Sequence, residues 1–390
     1  MSTIPSVSIS KKGIDRWKAA HPWIYKADVE KAPVDLQGGE VVRVTDHRGW
    51  FVGQALYSKE SQISLRWLTW DDAVIDEAFF KTRIERADEL RRRVLPDENA
   101  YRVIHGEADL IPGLVVDRFG DYLSVQFLHK ATEQRKQLLT DLLVKHFQPT
   151  GIANRSDAHV RVLEGLTQEK GVLYGDVPSS VTYREGHITC DVDLINGQKT
   201  GAFLDQRDNH VMAGEYGGGD ALDCFSYTGG FALQLALKSQ NVTAVEISES
   251  ACAQITANAK RNSLTNVTAV AANAFDYLRD TLDEGKRFDV IVLDPPSFAK
   301  TKKAIEPATR GYKEINLRAM QLLKPGGILI TASCTHHVPE ERFEDMLDSA
   351  AADAKRRVQI IEKRGAGKDH PVMLSLRETR YLKCFVLRVF

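Results

Sequence analysis

Val290–Phe298 reads Val-Ile-Val-Leu-Asp-Pro-Pro-Ser-Phe, and it limits the possible folds more sharply than any other stretch. Four apolar residues, three of them β-branched, predict a strand buried on both faces, as in the middle of a parallel sheet. The strand must stop at Asp294, because two prolines then forbid helix and stiffen a loop at its carboxyl end. Open α/β sheets bind ligands at that end of their strands. Asp294 thus offers a carboxylate, Pro295 and Pro296 a rigid shelf, and Phe298 an aromatic face for a flat base. An isolated Asp-Pro-Pro is more often a turn capping a core strand, so the neighbouring chain has to decide.

From about Cys190 onward strands and helices alternate, the mark of a doubly wound sheet. Ala221–Phe225 is a strand with Asp223 near its end, running through Ser226-Tyr227-Thr228-Gly229-Gly230 into a helix over Phe231–Leu237. Val242–Ile247 carries Glu246 near its end, and Val267–Ala272 ends at Asn273. After the Asp294 strand come a helix over Gly311–Leu323, a turn at Lys324–Gly327 and a strand Ile328–Ala332 leading to Ser333-Cys334. Gln359–Glu362 and Tyr381–Val389 close the sheet.

A strand, a glycine turn and a helix bring backbone close to a ligand, and an acid ending the second strand can accept both ribose hydroxyls. Glu246, with Ile247 beside it, fits that position. A dinucleotide site would want G-x-G-x-x-G and a pyrophosphate on the helix terminus. Only Gly229-Gly230 is present, and Asp223 would repel pyrophosphate while suiting the cationic, phosphate-free end of S-adenosylmethionine. Asn273, followed by Ala274, can meet an adenine edge.

Cys334 would lie at the carboxyl end of the strand after Asp294, so that thiol and carboxylate face one pocket. Carbon 5 of cytosine is too electron-poor to attack a methyl group. A thiolate adding to carbon 6 makes it nucleophilic, and cysteine both attacks and leaves well near neutral pH. The plain alternative is a small buried cysteine, which Cys190, Cys224, Cys252 and Cys384 resemble.

Upstream, Val41–Val44, Trp50–Leu56 and Ile63–Trp67 are short strands separated by turn chemistry, a small β domain over residues 1–72. Before them Lys11-Lys12, Arg16-Trp17 and His21-Pro22-Trp23-Ile24-Tyr25 interleave cations with aromatics. Such a mixture suits RNA, since bases stack on rings while cations meet phosphates, and a barrel with a tryptophan core explains it equally well. Asp71–Leu95 reads as an amphipathic helix opening a middle α+β domain over 73–189. That domain holds a hairpin at Phe119-Gly120-Asp121, a helix Ala131–Phe147, strands at Val160–Leu163 and Gly171–Tyr174, and a turn at Glu185-Gly186. The sheet domain occupies 190–390.

The net charge of −1 gives no global basic signature, so any nucleic acid must be held by local patches. No apolar run reaches the length of a membrane span, and the five separated cysteines form no CxxC pair, which fits a reducing cytoplasm.

These residues together resemble the large-subunit ribosomal RNA cytosine-C5 methyltransferases. The likeness rests on His21-Pro22-Trp23, Lys199-Thr200-Gly201-Ala202-Phe203-Leu204-Asp205-Gln206-Arg207, Asp223–Gly230, Asp294–Phe298 and Ser333-Cys334. It implies an N-terminal PUA-like RNA-binding domain, a middle α+β domain and a Rossmann-like methyltransferase, a doubly wound, mostly parallel sheet. It implies that Cys334 is the nucleophile aided by Asp294. It places S-adenosylmethionine against Lys199, Thr200, Phe203, Asp223, Phe225, Gly229, Gly230, Glu246, Ile247, Asn273, Ala274, Asp294 and Pro295. Pro296, Phe298, Arg207, Lys11, Lys12 and Trp23 would meet ribosomal RNA, with no membrane partner, and the oligomeric state, a homodimer included, stays open. Asn273 stands where relatives usually carry Asp. His336-His337 replaces smaller residues, but Cys-x-His-His without further ligands does not make a metal site. The competing enzyme reading methylates an exocyclic amine or a guanine nitrogen without a covalent step. A third reading is an RNA-binding assembly factor with a vestigial fold.

Overall fold

The computed structural model describes residues 4–298 and 304–390. The chain divides into two compact units. The first comprises residues 1–183, 191–204 and 368–379; the second comprises 184–190, 205–367 and 380–390.

In the first unit a six-stranded sheet follows the order Trp23–Tyr25, Ile63–Thr69, Phe51–Tyr57, Val41–Thr45, Ser6–Ile9, Val29–Lys31. Alternation along Val41–Thr45 sends Val42 and Val44 into a core with Val7, Ile9, Ile24, Leu65 and Trp67. A second, five-stranded sheet joins Gly171–Gly175, Gly151–Asn154, Tyr122–Phe127, Leu114–Phe119 and Ala100–His105. Helices Glu77–Val94 and Lys136–Phe147 cover it, burying Phe80, Ile84, Leu139 and Leu143 among the strand residues.

Three expectations in this unit are corrected. The first helix begins at Glu77, because Asp76, not Asp71 or Asp72, caps it by accepting the Phe79 amide at 3.0 Å. Ala131–Phe147 is two helices, Lys130–Gln134 and Lys136–Phe147, parted at Arg135. Val160–Leu163 is one helical turn rather than a strand. Its Arg161 is buried and donates to the Thr167 carbonyl at 2.8 Å and to Glu133 at 2.7 Å, while Val162 and Leu163 stay exposed. The alternation that mimicked a strand is one buried guanidinium among surface apolar residues.

The second unit is built on seven strands: β1 (Asp220–Cys224), β2 (Asn241–Glu246), β3 (Val267–Ala271), β4 (Phe288–Leu293), β5 (Leu323–Ser333), β6 (Val358–Arg364) and β7 (Lys383–Val389). Their order is β3-β2-β1-β4-β5-β7-β6, parallel except for β7, which runs antiparallel to both neighbours. Val290–Leu293 is buried at every position, as the opening stretch of sequence requires. One face packs on helices Ile305–Leu322 and Glu340–Asp353, the other on Gly230–Ala236 and Glu249–Arg261. The strand order reverses between β1 and β4, the place where open α/β sheets bind ligands, and Asp223 and Asp294 stand at the carboxyl ends of these two strands. Among the described residues no helix is long and apolar enough to cross a membrane.

Candidate active site

The turn after β1 is strained in a way that serves a ligand. Phe225 (φ 65°) and Tyr227 (φ 50°) both hold left-handed backbone that side-chain-bearing residues rarely adopt. Gly229 (φ 95°) ends the turn and opens helix Gly230–Ala236. Gly230 is required for another reason: a Cβ there would lie 2.4 Å from Cε1 of His210. His210 is itself held by Glu185 at 2.5 Å; burial works against its charge, but that carboxylate leaves the imidazole pKa raised. The glycines thus let the turn bring bare backbone to the strand end.

Asp223 lies under this turn, fully buried. Its Oδ2 accepts from the Ser226 hydroxyl at 2.6 Å and the Ala232 amide at 3.0 Å, while among the described residues Oδ1 has no hydrogen-bond partner. Burial pushes its pKa up to about 7, against the opposing pull of Ser226 and His210. A buried carboxyl oxygen without a donor is costly, and a cationic or N–H-bearing ligand group would relieve it. Glu246, ending β2, accepts the Tyr227 amide at 3.0 Å and the Ser248 amide at 3.0 Å, one on each oxygen. It ties the strained turn to β2 and keeps acceptor capacity for a diol, since each carboxylate oxygen can take two donors. Ile247 beside it is 72% exposed, an apolar side chain at the end of β2. Asn273 caps helix Ala274–Asp283 by accepting the Phe275 amide at 2.9 Å, leaving its NH₂ side for a base edge; Ala274 is buried beneath. Phe225 packs edge-on to Phe275.

At the end of β4, Asp294 Oδ1 accepts from Gln206 Nε2 at 2.9 Å. The Gln206 carbonyl in turn accepts from Asn209 Nδ2 at 2.6 Å, and Arg364 donates to Asn209 Oδ1 at 2.9 Å. Pro295 is buried and Pro296 exposed, as a shelf needs. Phe298 is half-buried against Tyr312, with ring centroids 4.7 Å apart, so part of its face is already taken by the interior. Cys334 follows the last residue of β5. It is half-buried, whereas Cys190, Cys224, Cys252 and Cys384 are all buried. Leu293 pairs with Thr331 across β4 and β5, which puts the Asp294 and Cys334 loops at adjacent strand ends. Thr335, next to Cys334, meets Ser297 Oγ at 3.2 Å and the Tyr312 hydroxyl at 2.6 Å.

Lys199, Thr200 and Phe203 belong to the first unit, where Lys199 Nζ lies 4.2 Å from the Phe203 ring centroid and Thr200 is buried, donating to Asp117. Arg207, expected at the substrate, is 1% exposed, with its guanidinium on Asp208. In the N-terminal segment Trp17 packs on the core and Trp23 donates to Glu107 at 2.8 Å. Lys12 is exposed and only 3.9 Å from Asp28, and Lys11 is exposed too. The basic–aromatic stretch therefore serves both fold and surface. Gln206, Thr335, Tyr312 and Lys383 were missed by sequence reasoning, although Gln206 sits inside the quoted Lys199–Arg207 motif. Among the described residues no three His, Cys, Asp or Glu side chains gather to hold a metal.

Comparison with known proteins follows the same lines. A PUA-like domain family matches residues 7–70 and a methyltransferase domain family matches residues 217–370. Ribosomal RNA large subunit methyltransferase I of Vibrio vulnificus is 39% identical over 379 residues, covering 95% of each chain. The Vibrio cholerae protein of that name is 38% identical over 395 residues, covering 99% of each. Among solved structures, the methyltransferase SMU.776 complexed with SAH superposes with a TM-score of 0.85 over 99% of this chain and 100% of that one, at 20% identity, a likeness of fold. By sequence identity over its whole length, the chain belongs to the ribosomal RNA large subunit methyltransferase I family.

Proposed function

We propose that this enzyme methylates carbon 5 of a cytosine in large-subunit ribosomal RNA, with S-adenosylmethionine as cofactor and Cys334 as covalent nucleophile. The observation that carries the reading is the placement of Cys334: a partly exposed thiol at the end of β5, one strand from Asp294. The unpartnered Oδ1 of Asp223, the two acceptor oxygens of Glu246 and the glycine turn fit the cofactor's charged end and ribose. When bound, the cofactor supplies an electrophilic methyl group.

The Cys334 thiolate adds to carbon 6 of the cytosine, and the ring's electron pair moves to carbon 5. Carbon 5 forms its new bond to methyl, then loses its proton to a base, and the returning electron pair expels the thiolate and restores the ring. Asp294, oriented by Gln206, holds the polar edge of the base and steadies the adduct. Pro295 lines the cofactor side and Pro296 and Phe298 the base side. The division at 72 and 189 gives residues 1–72 the task of gripping RNA through Lys11, Lys12 and Trp23. A ribosomal substrate places the enzyme in the cytoplasm. The test is to incubate the purified protein with labelled S-adenosylmethionine and unmodified ribosomal RNA, then identify the product nucleoside by mass spectrometry. 5-Methylcytosine is expected; N-methylated guanine or an N-methylated exocyclic amine would replace the covalent reading with direct transfer.

A further inference from the structure

A buried cation on β7 is left without a role by the chemistry above. Lys383 is only 4% exposed, yet among the described residues its ammonium forms no ion pair with a carboxylate. It donates instead to two carbonyls, Thr335 O at 2.7 Å and Tyr381 O at 2.9 Å. An ammonium in such a place loses most of its hydration and recovers little from neutral carbonyls. Strand register shows what it lies beside. Lys383 pairs with Ser333 across β5 and β7, and its Nζ reaches the carbonyl of Thr335. The side chain therefore spans the backbone on either side of Cys334. The adjacent Cys384 points into the core and is fully buried, so Lys383 is the residue of this rung given to the Cys334 loop.

We propose that Lys383 is a positioning residue for the covalent step: its ammonium is the built-in counter-charge of the Cys334 thiolate. The proposal rests on the reading that Cys334 attacks the base. A resident anion would be a permanent partner and would quench the charge; two carbonyls hold the cation in place and leave its field for an anion that forms only when the thiol ionises. The same field stabilises the thiolate again as it is expelled. Electrostatics agree: burial lowers the Lys383 pKa to about 8, and Cys334 is the first group that opposes the fall, followed by Glu340. The other titratable groups around this loop are the Tyr312 hydroxyl, which couples to Cys334, His336 and His337 just after it, and Asp294 on the next strand end.

The experiment separates charge from architecture. Lys383→Gln keeps a donor for Thr335 O without the charge; Lys383→Arg keeps the charge. Alkylation of Cys334 by iodoacetamide, followed on its own peptide by mass spectrometry from pH 6 to 10, reads the thiolate without requiring turnover. The Gln variant should alkylate about tenfold more slowly at pH 7, with its profile moved about one unit upward. Its methyl transfer should fall in parallel while cofactor affinity stays near wild type, and the Arg variant should stay within about threefold of wild type on both. A Gln variant with the wild-type alkylation profile overturns the proposal. Should the Gln variant fail to bind cofactor, the coupling is read from the other side. The Lys383 ammonium, titrated by carbon-13 NMR, should ionise at lower pH in Cys334→Ser than in wild type, and an unmoved titration overturns the proposal equally. If Cys334→Ala keeps its methyl transfer, the covalent reading fails, whatever the alkylation profiles show.

Discussion

Gln206 gives its amide N–H to Asp294 at 2.9 Å while its carbonyl is occupied by Asn209 at 2.6 Å. Because Asn209 can only donate through its nitrogen, the Gln206 side chain cannot turn around, and Asp294 always faces a donor. The Asp294 carboxylate is therefore aimed by a residue from a different part of the chain. Gln206→Ala removes a hydrogen bond to a charged group, worth about 1.5–3 kcal/mol. It should lower kcat by roughly tenfold or more, with cofactor affinity little changed. Gln206→Glu sets a second carboxylate against Asp294 and should be worse than Ala. Steady-state kinetics and calorimetry on both variants check this; an Ala variant with wild-type kcat would release Gln206 from the site.

Asp223 is expected to make cofactor binding depend on pH. Its carboxyl keeps a proton up to about pH 7 in the folded chain, against 3.8 for a free aspartate, because burial disfavours the anion. Below neutrality the group is neutral and offers no charge to a cation; above it the carboxylate forms. Affinity for S-adenosylmethionine should rise between pH 6 and pH 8 in the wild type and stay flat in Asp223→Asn. The linkage to folding runs the other way. The unfolded chain releases this proton at lower pH, so raising pH from 4 to 7 costs stability, and Asp223→Asn removes that cost. Calorimetric titrations at both pH values, paired with urea melts, test the two signs together.

Gly230→Ala tests the turn. Its added methyl would sit 2.4 Å from the His210 ring, which is pinned between Glu185 and Phe231. Overpacking of this kind costs roughly 1–3 kcal/mol. The urea midpoint should fall accordingly, and cofactor affinity should fall with it as helix Gly230–Ala236 is displaced. An unaltered midpoint would mean that His210 moves aside freely.

What the sequence made legible here has a physical pattern. Asp294, Glu246 and Cys334 are announced by local chemistry: an apolar run, then a polar residue, then a turn. A strand end needs no partner to be recognised, so these three positions were read directly. Gln206 and Lys383 carry no such signature. Gln206 matters because of a hydrogen bond to a residue far along the chain, and Lys383 because β7 inserts antiparallel beside β5. The burial of Arg207 is equally invisible in its motif, because it depends on how the folded chain packs around it. Asp223 was read correctly as a strand-end acid, but its hydrogen bonds beneath the turn and its unpartnered oxygen needed the folded chain.

Glu246→Ala should affect ligand and turn together. The Tyr227 and Ser248 amides lose their acceptor, each at 3.0 Å in the folded chain, and Tyr227 sits in left-handed backbone that needs such support. Cofactor affinity should drop at least tenfold, a loss of about 1.4 kcal/mol or more. Glu246→Gln, which keeps an acceptor oxygen for one amide, should recover part of it. Equal affinities for wild type and Glu246→Ala in calorimetry would remove this residue from the cofactor site.

Cys334→Ala separates covalent from direct transfer. Cys334 is the half-buried thiol among five cysteines, and the other four are buried, so truncating those should act through packing alone. Cys334→Ala should bind cofactor like the wild type and transfer methyl at near-background rate. RNA bearing 5-fluorocytosine at the target position should trap the wild-type enzyme, because after methyl transfer fluorine cannot leave carbon 5 as a cation and the thiolate cannot be expelled. A denaturation-resistant protein–RNA band is expected for wild type and absent for Cys334→Ala. Asp294→Asn, with the thiol intact, should still form the band but more slowly, since it keeps the acceptor for Gln206 and loses the charge that holds the base. A Cys334→Ala enzyme that retains most of its methyl transfer would show that the methyl goes directly to a nitrogen, with Asp294, Pro295 and Pro296 as the working edge of the site.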